Sequence, residues 1–388
     1  MSPHMRPLDG LKVLEIAHYI AGPAACMTLA DLGADVIKVE PPGGEPARRS
    51  EPLLEDDESL YFATFNLGKQ SVCLDLRSSQ GRADLARLIR WCDVLVTNYL
   101  PDVPERLGFG YDTVKSLNPR AIMVHVTGFG SWSLLKAQPA FDSVIQAMSG
   151  LADMAGEPDG APNLSTLRLA DHITAQQAAT AALAALRLRD RTHEGSLVEV
   201  SMLRALIPLL GERIAEATKL GANPTRTGNR RANVFVNVFS TLDGALVVSP
   251  VTARQWAAFC EVIGRPEWGT LDVVQAQRHV LDPAVRLDLE HSTQAWADQR
   301  SSIDAASELQ AAGVPSGPVW SISELIAADE RFDLRLFAVG RLGNGSPVIV
   351  PASPFEWRSA VPSRRDTRVH DIGEDSDAVL GMSSPDDP

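Results

Sequence analysis

The chain has 388 residues, too many for one ordinary core and enough for two domains. Hydrophobic residues make up 45% and charged residues 22%, which admits a large packed interior and excludes a fibrous or disordered chain. The formal net charge of −13 argues against a generic nucleic-acid binder, which needs a basic surface, yet leaves room for a few arginines in one cleft to hold phosphate.

Taken in chain order, the first third alternates strand and helix. The run LKVLEIA at 11–17 reads as a short apolar strand, and a helix follows over 24–32 with Pro23 near its first turn. Strands are predicted at 34–39 and 72–76. Over 80–91 the apolar positions Leu85, Leu88 and Ile89 share one helical face. A buried strand at 94–96, a short helix at 111–117 and a strand at 121–126 continue the pattern. Strands separated by helices imply a mainly parallel sheet with crossover connections. An Ala-rich helix is predicted over 173–189, where small side chains let neighbours approach closely. A strand at 196–200 and a helix at 203–217 follow.

The character changes near Gly221. The stretch GANPTRTGNRRAN at 221–233 is polar and rich in turn formers, so it reads as a linker. Strands at 234–240 and 245–249 flank Leu242, Asp243 and Gly244, a hairpin signal. Helices follow at 253–263 and 305–312, with Asp304 as a cap for the second. This region is expected to form a smaller α/β domain. A further strand is predicted at 347–350, and the polar tail from about 375 is expected to fray. No internal repeat is visible.

Cys26, Cys73, Cys92 and Cys260 form no CxxC pair and sit in apolar contexts, so all four read as reduced core residues. The N-terminus is polar up to Asp9, without a signal-peptide apolar run. The most apolar helical stretch, 175–188, is interrupted by Gln176 and Gln177 and falls short of a membrane span. A cytoplasmic protein without membrane or nucleic-acid partners is expected. The eight histidines show no HExxH and no clustered spacing, His125 reads as a core residue in a strand, and no metal is expected. GxGxxG and GxxxxGK[ST] are both missing, which leaves a nicotinamide (NAD) or nucleoside-triphosphate role without support.

Six pieces in order carry a resemblance. They are LKVLEIAHYIAGPAACMTLADLGADVIKVEPPGG at 11–44, NLGKQSVCLDLRSSQG at 66–81, CDVLVTNYLPDVPERLGFG at 92–110, LNPRAIMVHVTGFG at 117–130, FDSVIQAMSG at 141–150 and THEGSLVEVSM at 192–202. AAGVPSGPV at 311–319 fits as well. Together they resemble the family III coenzyme A transferases, whose fold is shared with the alpha-methylacyl-coenzyme A racemases. The resemblance implies an α/β protein with a large Rossmann-like domain built from both chain ends and a smaller α/β middle domain. On that basis the large domain takes 1–220 and the return segment 330–388, and the small domain takes 221–329. It also implies two interlocked subunits, and acyl-coenzyme A and a small carboxylic acid as substrates.

By its own residues Asp171, in LRLADHITA, reads as the cap of the Ala-rich helix. The resemblance places the family's catalytic aspartate there, and a helix start also stabilises nearby negative charge. The chemistry asks for a carboxylate, because attack on a thioester then gives a reactive anhydride where a serine would give a stable ester. Asp142 matches a second acidic position of the family; it reads as a helix cap, or as a group that orients loops or raises the pKa of Asp171. The segment His18, Tyr19, Ile20, Ala21, Gly22, Pro23 corresponds to the family's first glycine segment, a source of backbone donors for the thioester oxygen. Gly22 permits close backbone approach, and Tyr19 either faces substrate or packs. Ile20 stands where formyl-type members carry glutamine, and with Phe129 and Phe141 it suggests a less polar pocket than one for oxalate.

Coenzyme A brings phosphates, which suit arginine. Arg106, in PERLGFG, matches the family's nucleotide-contacting arginine, and Lys38, Arg48 and Arg49 follow at the second strand; a solvated surface charge is the plain alternative for each. Asn98 and Tyr99 end one strand and Gly128 and Gly130 end the next, where ligands of open α/β sheets gather. Racemases carry a histidine immediately before the acidic residue of the FD-type motif; Phe141 stands there and cannot exchange a proton, which favours transfer over racemisation. A non-catalytic coenzyme A-binding protein is the remaining rival, since SWSLLKAQPA at 131–140 and NRRANVFVNVF at 229–239 depart from the family pattern. The implied threading of two chains predicts a single dimeric species in sedimentation at low protein concentration, with no folded monomer; a reversible folded monomer would contradict it.

Overall fold

The computed structural model describes residues 6–231, 234–270, 283–356 and 367–382. Its contacts divide the chain into two compact units: Met1–Ala152 with Leu164–Gly221 and Arg335–Pro388, and Asp153–Asn163 with Ala222–Leu334.

The first unit opens with β1 (Lys12–Ile16), α1 (Ala21–Asp31) and β2 (Asp35–Glu40), then α2 (Leu60–Asn66), β3 (Gln70–Cys73), α3 (Ser79–Trp91) and β4 (Val94–Thr97). Short helices α4 (Val103–Leu107) and α5 (Tyr111–Leu117) lead to β5 (Ile122–Thr127). After α6 (Asp142–Met148) and the one-turn α7 (Leu151–Met154) come α8 (Leu169–Thr192), β6 (Leu197–Ser201), α9 (Met202–Leu210) and α10 (Glu212–Leu220). The strands form one sheet in the order β3-β2-β1-β4-β5-β6, every neighbouring pair parallel. Alternation along each strand loads both faces. Val13, Val94 and Val124 pack with α1 and α8 on one side, and Leu14, Leu95 and Met123 pack with α3 and α5 on the other. The chain reverses its direction of growth between β1 and β4, and the crevice beyond the carboxyl ends of those strands is where open sheets of this kind bind ligands.

Helix α8 buries Ala170, Ala175, Ala178, Ala182 and Ala185 against Ala21, Ala25 and Leu29 of α1. It begins four residues before the predicted start at 173. Asp171 therefore lies inside the first turn and does not cap the helix. The predicted helix at 203–217 is two helices, because Gly211 adopts φ 43° and ψ −120°, a conformation closed to residues with a β-carbon. Of the four cysteines, Cys26, Cys92 and Cys260 are buried, while Cys73 is only partly so, and none is in a disulfide.

The end of the chain returns to this unit. The hairpin β10 (Phe337–Arg341) and β11 (Pro347–Pro351) leads to residues 367–382, which lie along β3. Gly68 N donates to Arg368 O (2.8 Å), Ser71 N to Asp375 Oδ2 (2.8 Å) and Cys73 N to Ser376 Oγ (3.1 Å). These bonds cover the free edge of the sheet. The described part of the tail is a helix, Ser376–Met382, so the expected fraying does not extend to it; residues 383–388 lie outside the described residues.

The second unit holds an antiparallel sheet β7 (Asn237–Ser240), β8 (Ala245–Val248) and β9 (Ser316–Pro318), with β8 central. The predicted hairpin is its first pair. Phe235, Phe239, Trp256 and Phe259 make its aromatic core. The helix Ser302–Ala311 is capped by Ser301, whose side chain accepts from Asp304 N, in place of the expected Asp304. In the predicted linker, Arg226 donates to the carbonyls of Asp153, Glu157 and Gly160 and so secures that loop; residues 232 and 233 lie outside the described residues.

A buried ionic network ties β1, β2 and β3 together. Glu15 is fully buried and accepts from Lys38 Nζ and Lys69 Nζ, each at 2.6 Å. Lys38 also lies 2.6 Å from Glu45 Oε1, an ion contact rather than an aligned hydrogen bond. Burial opposes the charge on Glu15, yet the two ammonium groups hold its carboxyl below the usual range. Glu15→Gln leaves both lysines buried beside a neutral amide. It is expected to cost ~3–5 kcal/mol, read as a lower urea midpoint with unchanged slope.

Candidate active site

The ends of β1 and β4 meet through one side chain. Asn98 Oδ1 accepts from His18 N at 3.0 Å, and Asn98 Nδ2 donates to His18 O at 2.7 Å. The next residue, Tyr19, is left-handed with φ 61°, and its N–H donates to Glu45 Oε2 at 2.9 Å. This link runs from the ionic network into the β1–α1 turn. Helix α1 then starts without a side-chain cap, and Pro23 at its third position brings no N–H. The first-turn N–H groups of Ala21 and Gly22 find no acceptor among the described residues.

A cavity of about 300 Å³ opens here. Its wall includes His18, Tyr19, Ile20 and Ala21 from the β1–α1 turn, and Asn98 and Tyr99 from the end of β4. Thr127 and Gly128 close it from β5, Phe141 from the start of α6, and Asp171 from α8. The aromatic rings brace one another. His18 lies edge-on to Tyr99 at 5.0 Å between centroids, and Tyr19 edge-on to Phe141 at 5.8 Å. Burial, and then the charge of Lys38, push the His18 imidazole down to about 4, so it is neutral at physiological pH.

Asp171 is held from behind by Asp142. Asp142 Oδ1 accepts from Ala170 N at 2.7 Å and from Asp171 N at 3.2 Å, which satisfies the start of α8 from 28 and 29 residues away. Its Oδ2 accepts from Gln146 Nε2 at 2.5 Å. Gln146 in turn donates to Ser165 O and accepts from Ser165 N, fixing the chain that enters the helix. Asp142 is the first residue of α6, but it caps α8. Burial, reinforced by the Asp142 charge and opposed by Arg168, pushes the Asp171 carboxyl up to about 7.

The other residues singled out from the sequence divide. Tyr19, Ile20, Ala21, Asn98, Tyr99, Gly128, Phe141 and Asp171 come together around the cavity. Gly22 serves packing: a β-carbon there would lie 2.5 Å from Ala17 Cβ. Gly130 turns the chain after β5 at φ 91° and does not line the cavity. Phe129 is 5% exposed in the core beside α8 and is not a pocket residue, a correction that follows from the alternation of directions after β5. Lys38 is corrected as a phosphate contact, because its ammonium is 1% exposed and enclosed by Glu15, Glu45 and Ala17 O. Arg48 pairs bidentately with Glu40 and donates to His370 O, which commits its guanidinium inside the unit. Arg49 donates to Gly43 O and is exposed. Arg106 is exposed on α4, whose Val103 lines the cavity. His125 is buried, with Nε2 2.8 Å from Tyr99 O.

His18, the first residue of the segment singled out after the first strand, lines the cavity. Sequence reasoning missed two residues. Arg168, at φ 52°, stacks its guanidinium 4.8 Å over the Tyr61 ring, and both lie beside Asp171. No local pattern brings Tyr61 there. Among the described residues no group of His, Cys, Asp or Glu could hold a metal ion, and no helix is long and apolar enough to cross a membrane.

A parallel six-stranded sheet in this order defines a Rossmann-like α/β protein, and the Asp171 carboxyl stands in the crevice at its switch point, where such sheets bind ligands. The pattern that defines CoA-transferase family III matches residues 8–376. A succinyl-CoA:mesaconate CoA-transferase of Haloarcula hispanica is 31% identical, with 92% of each chain covered. An acetyl-CoA:oxalate CoA-transferase of Acetobacter aceti is 34% identical, with 82% of each covered. The crystal structure of a CaiB/BaiF family protein from Brucella suis superimposes with a TM-score of 0.84 at 29% identity, covering 98% of this chain and 100% of the other. The chain belongs to CoA-transferase family III, and it is an acyl-CoA:carboxylate CoA-transferase.

Replacing Asp142 by alanine removes two accepting bonds at the start of α8 and one charge beside Asp171. Asp142→Ala is expected to cost ~1–3 kcal/mol in unfolding free energy. It should also lower the apparent pKa that governs transfer, since the neighbouring negative charge is gone; a pH–rate profile that stays in place would contradict this role.

Proposed function

We propose that this enzyme moves coenzyme A from an acyl-CoA donor to a carboxylic acid acceptor through intermediates linked to Asp171. The observation that carries this reading is the Asp171 carboxyl in the wall of a largely apolar cavity, at the switch point of the sheet and without a hydrogen-bond partner of its own among the described residues. An unpaired carboxylate in an apolar site is poised to attack, because no hydrogen bond must break first.

In the proposed sequence, an Asp171 carboxylate oxygen attacks the donor thioester carbon and the C–S bond breaks. Coenzyme A leaves as thiolate, and an acyl-aspartyl anhydride remains. The thiolate attacks the aspartyl carbonyl, the donor acid departs, and an aspartyl thioester is left. The acceptor carboxylate attacks that thioester to give a second anhydride and thiolate. The thiolate then takes the acyl group and frees Asp171. No net proton is consumed. The N–H groups of Ala21 and Gly22 are suited to stabilise negative charge as it develops on the carbonyl oxygen. Neutral His18 and the ring of Tyr99 keep water out of the reacting volume. Arg106, exposed beside the cavity wall, is proposed to meet a coenzyme A phosphate.

Racemisation draws no support from the cavity wall, where Phe141 stands next to Asp142 and His172 does not contribute. The reading includes a homodimer working in the cytoplasm. Exposed apolar side chains in the first unit, Trp132, Leu134 and Leu167 among them, support a partner surface.

Asp171→Asn tests the mechanism. Transfer should fall by several orders of magnitude, in kcat rather than KM, while coenzyme A binding is kept. Hydroxylamine or borohydride trapping of the unmodified enzyme with donor should mark the peptide that contains Asp171. A label elsewhere, or near-normal transfer by the asparagine variant, would end the proposal. The pH behaviour has a definite sign. Attack needs the carboxylate, so the rate should rise as pH passes about 7. Folding favours the protonated form, so the group's contribution to stability is intact below the unfolded value of 3.8 and is lost as pH rises through about 7. Asp171→Asn should therefore be the more stable protein above neutrality, by ~4 kcal/mol at most, and show no advantage in acid.

A further inference from the structure

Beyond Asp171 itself, the cation supply around the cavity is unusual. Among the described residues, the cavity wall contains no lysine and no arginine. The buried cations near the β1–α1 turn are already engaged: Lys38 and Lys69 with Glu15, and Arg48 with Glu40. Arg168 differs from them. It sits three residues before Asp171 and is exposed, and among the described residues no carboxylate pairs with it. Its guanidinium is nonetheless held in place, stacked 4.8 Å over the Tyr61 ring. Its backbone is left-handed, at φ 52° and ψ 50°, a conformation that costs a residue with a β-carbon and is kept where the surroundings impose it. The charge reaches the reacting group: burial and Asp142 raise the pKa of Asp171, and Arg168 works against them. A positioned cation without a counter-ion, beside a nucleophile in an apolar cavity, is a receptor for an anionic group of the substrate.

Resting on the transferase reading above, we propose that Arg168 is a specificity-determining residue, which selects acceptor acids that carry a second carboxylate. One carboxylate of such an acid reacts at Asp171, and the other pairs with the Arg168 guanidinium. Guanidinium matches carboxylate in a planar, two-pronged fashion, and its weak hydration lowers the cost of pairing at a half-open site. A monocarboxylic acid has nothing to offer Arg168 and is held by the apolar wall of Ile20, Phe141 and Leu100 alone.

The test uses the full-length enzyme and its Arg168→Gln and Arg168→Lys variants. Both substitutions keep a β-carbon, so they carry the same backbone cost as arginine. Matching thermal melts confirm that folding is unchanged. Each protein is given its best acyl-CoA donor and, in parallel, straight-chain monocarboxylic acids (propionate, butyrate) and dicarboxylic acids (succinate, glutarate). New thioesters are quantified by mass spectrometry. In Arg168→Gln, kcat/KM for the dicarboxylic acids should drop ~10- to 100-fold, mainly through KM, while the monocarboxylic acids change by no more than ~3-fold. Arg168→Lys should recover part of the loss. An equal drop for both classes overturns the proposal, since it would mark a general effect on Asp171. No drop for either class overturns it as well. If the unmodified enzyme transfers to monocarboxylic acids and ignores dicarboxylic ones, this inference falls while the transferase reading stands. If it transfers to neither, the transferase reading falls and takes this inference with it.

Discussion

The carboxylate of Asp142 on the first turn of α8 is the contact on which the site depends. Two N–H groups that a helix start leaves without partners are satisfied by a side chain from another helix. That bond fixes where α8 begins, and so where Asp171 points. The alanine face of the same helix sets its distance from α1, because Ala175, Ala178 and Ala182 allow close approach to Ala21 and Ala25. Together these contacts bring a residue of α8 to the end of β1. The capping carboxylate also has an electrostatic consequence. It adds negative charge behind Asp171 and, after burial, is the second reason that group binds its proton up to near neutral pH. Helix stability and the ionisation of Asp171 are thus coupled through one side chain.

A second constraint comes from the other wall. Glu15, Glu40 and Glu45 face Lys38, Lys69 and Arg48 in the interior of the first unit. Such a network is poor evidence for stability, since well-packed apolar residues would often serve as well. Its value here lies in geometry. Glu45 receives the N–H of Tyr19 in a left-handed conformation, and Asn98 brackets His18 beside it. The turn between β1 and α1 is thereby fixed, and the N–H groups of Ala21 and Gly22 are left without an acceptor among the described residues. Left-handed Tyr19 and Arg168 lie at the cavity and beside Asp171, respectively. Strain concentrated at a candidate site is tolerated where the surrounding structure over-determines it.

The two transferases to which the chain is similar differ in their acids, mesaconate in one and oxalate in the other. A common chemistry with varied acids asks for a constant nucleophile and a changeable wall. In this chain the wall is apolar at Ile20, Leu100 and Phe141, and Arg168 lies outside it, stacked over Tyr61. Those positions, rather than the sheet, are where the acid would be chosen.

The sequence by itself determined the alternating α/β class, the parallel sheet and the family. Strand and helix periods are local, and the six motif segments carry their spacing in the chain. It marked Asp171 and about half of the cavity wall, because residues at the carboxyl ends of parallel strands fall together once strand order is known. It could not say that Asp142 caps α8 rather than α6, that Lys38 is buried against Glu15, or that Phe129 faces the core. Nor could it bring Tyr61 under Arg168. Each of these is a contact between segments far apart in the chain, chosen by side-chain direction and by the electrostatic cost of burying a charge alone. Local patterns record which residues are polar. Only the packed structure decides which polar groups must find one another once water is excluded.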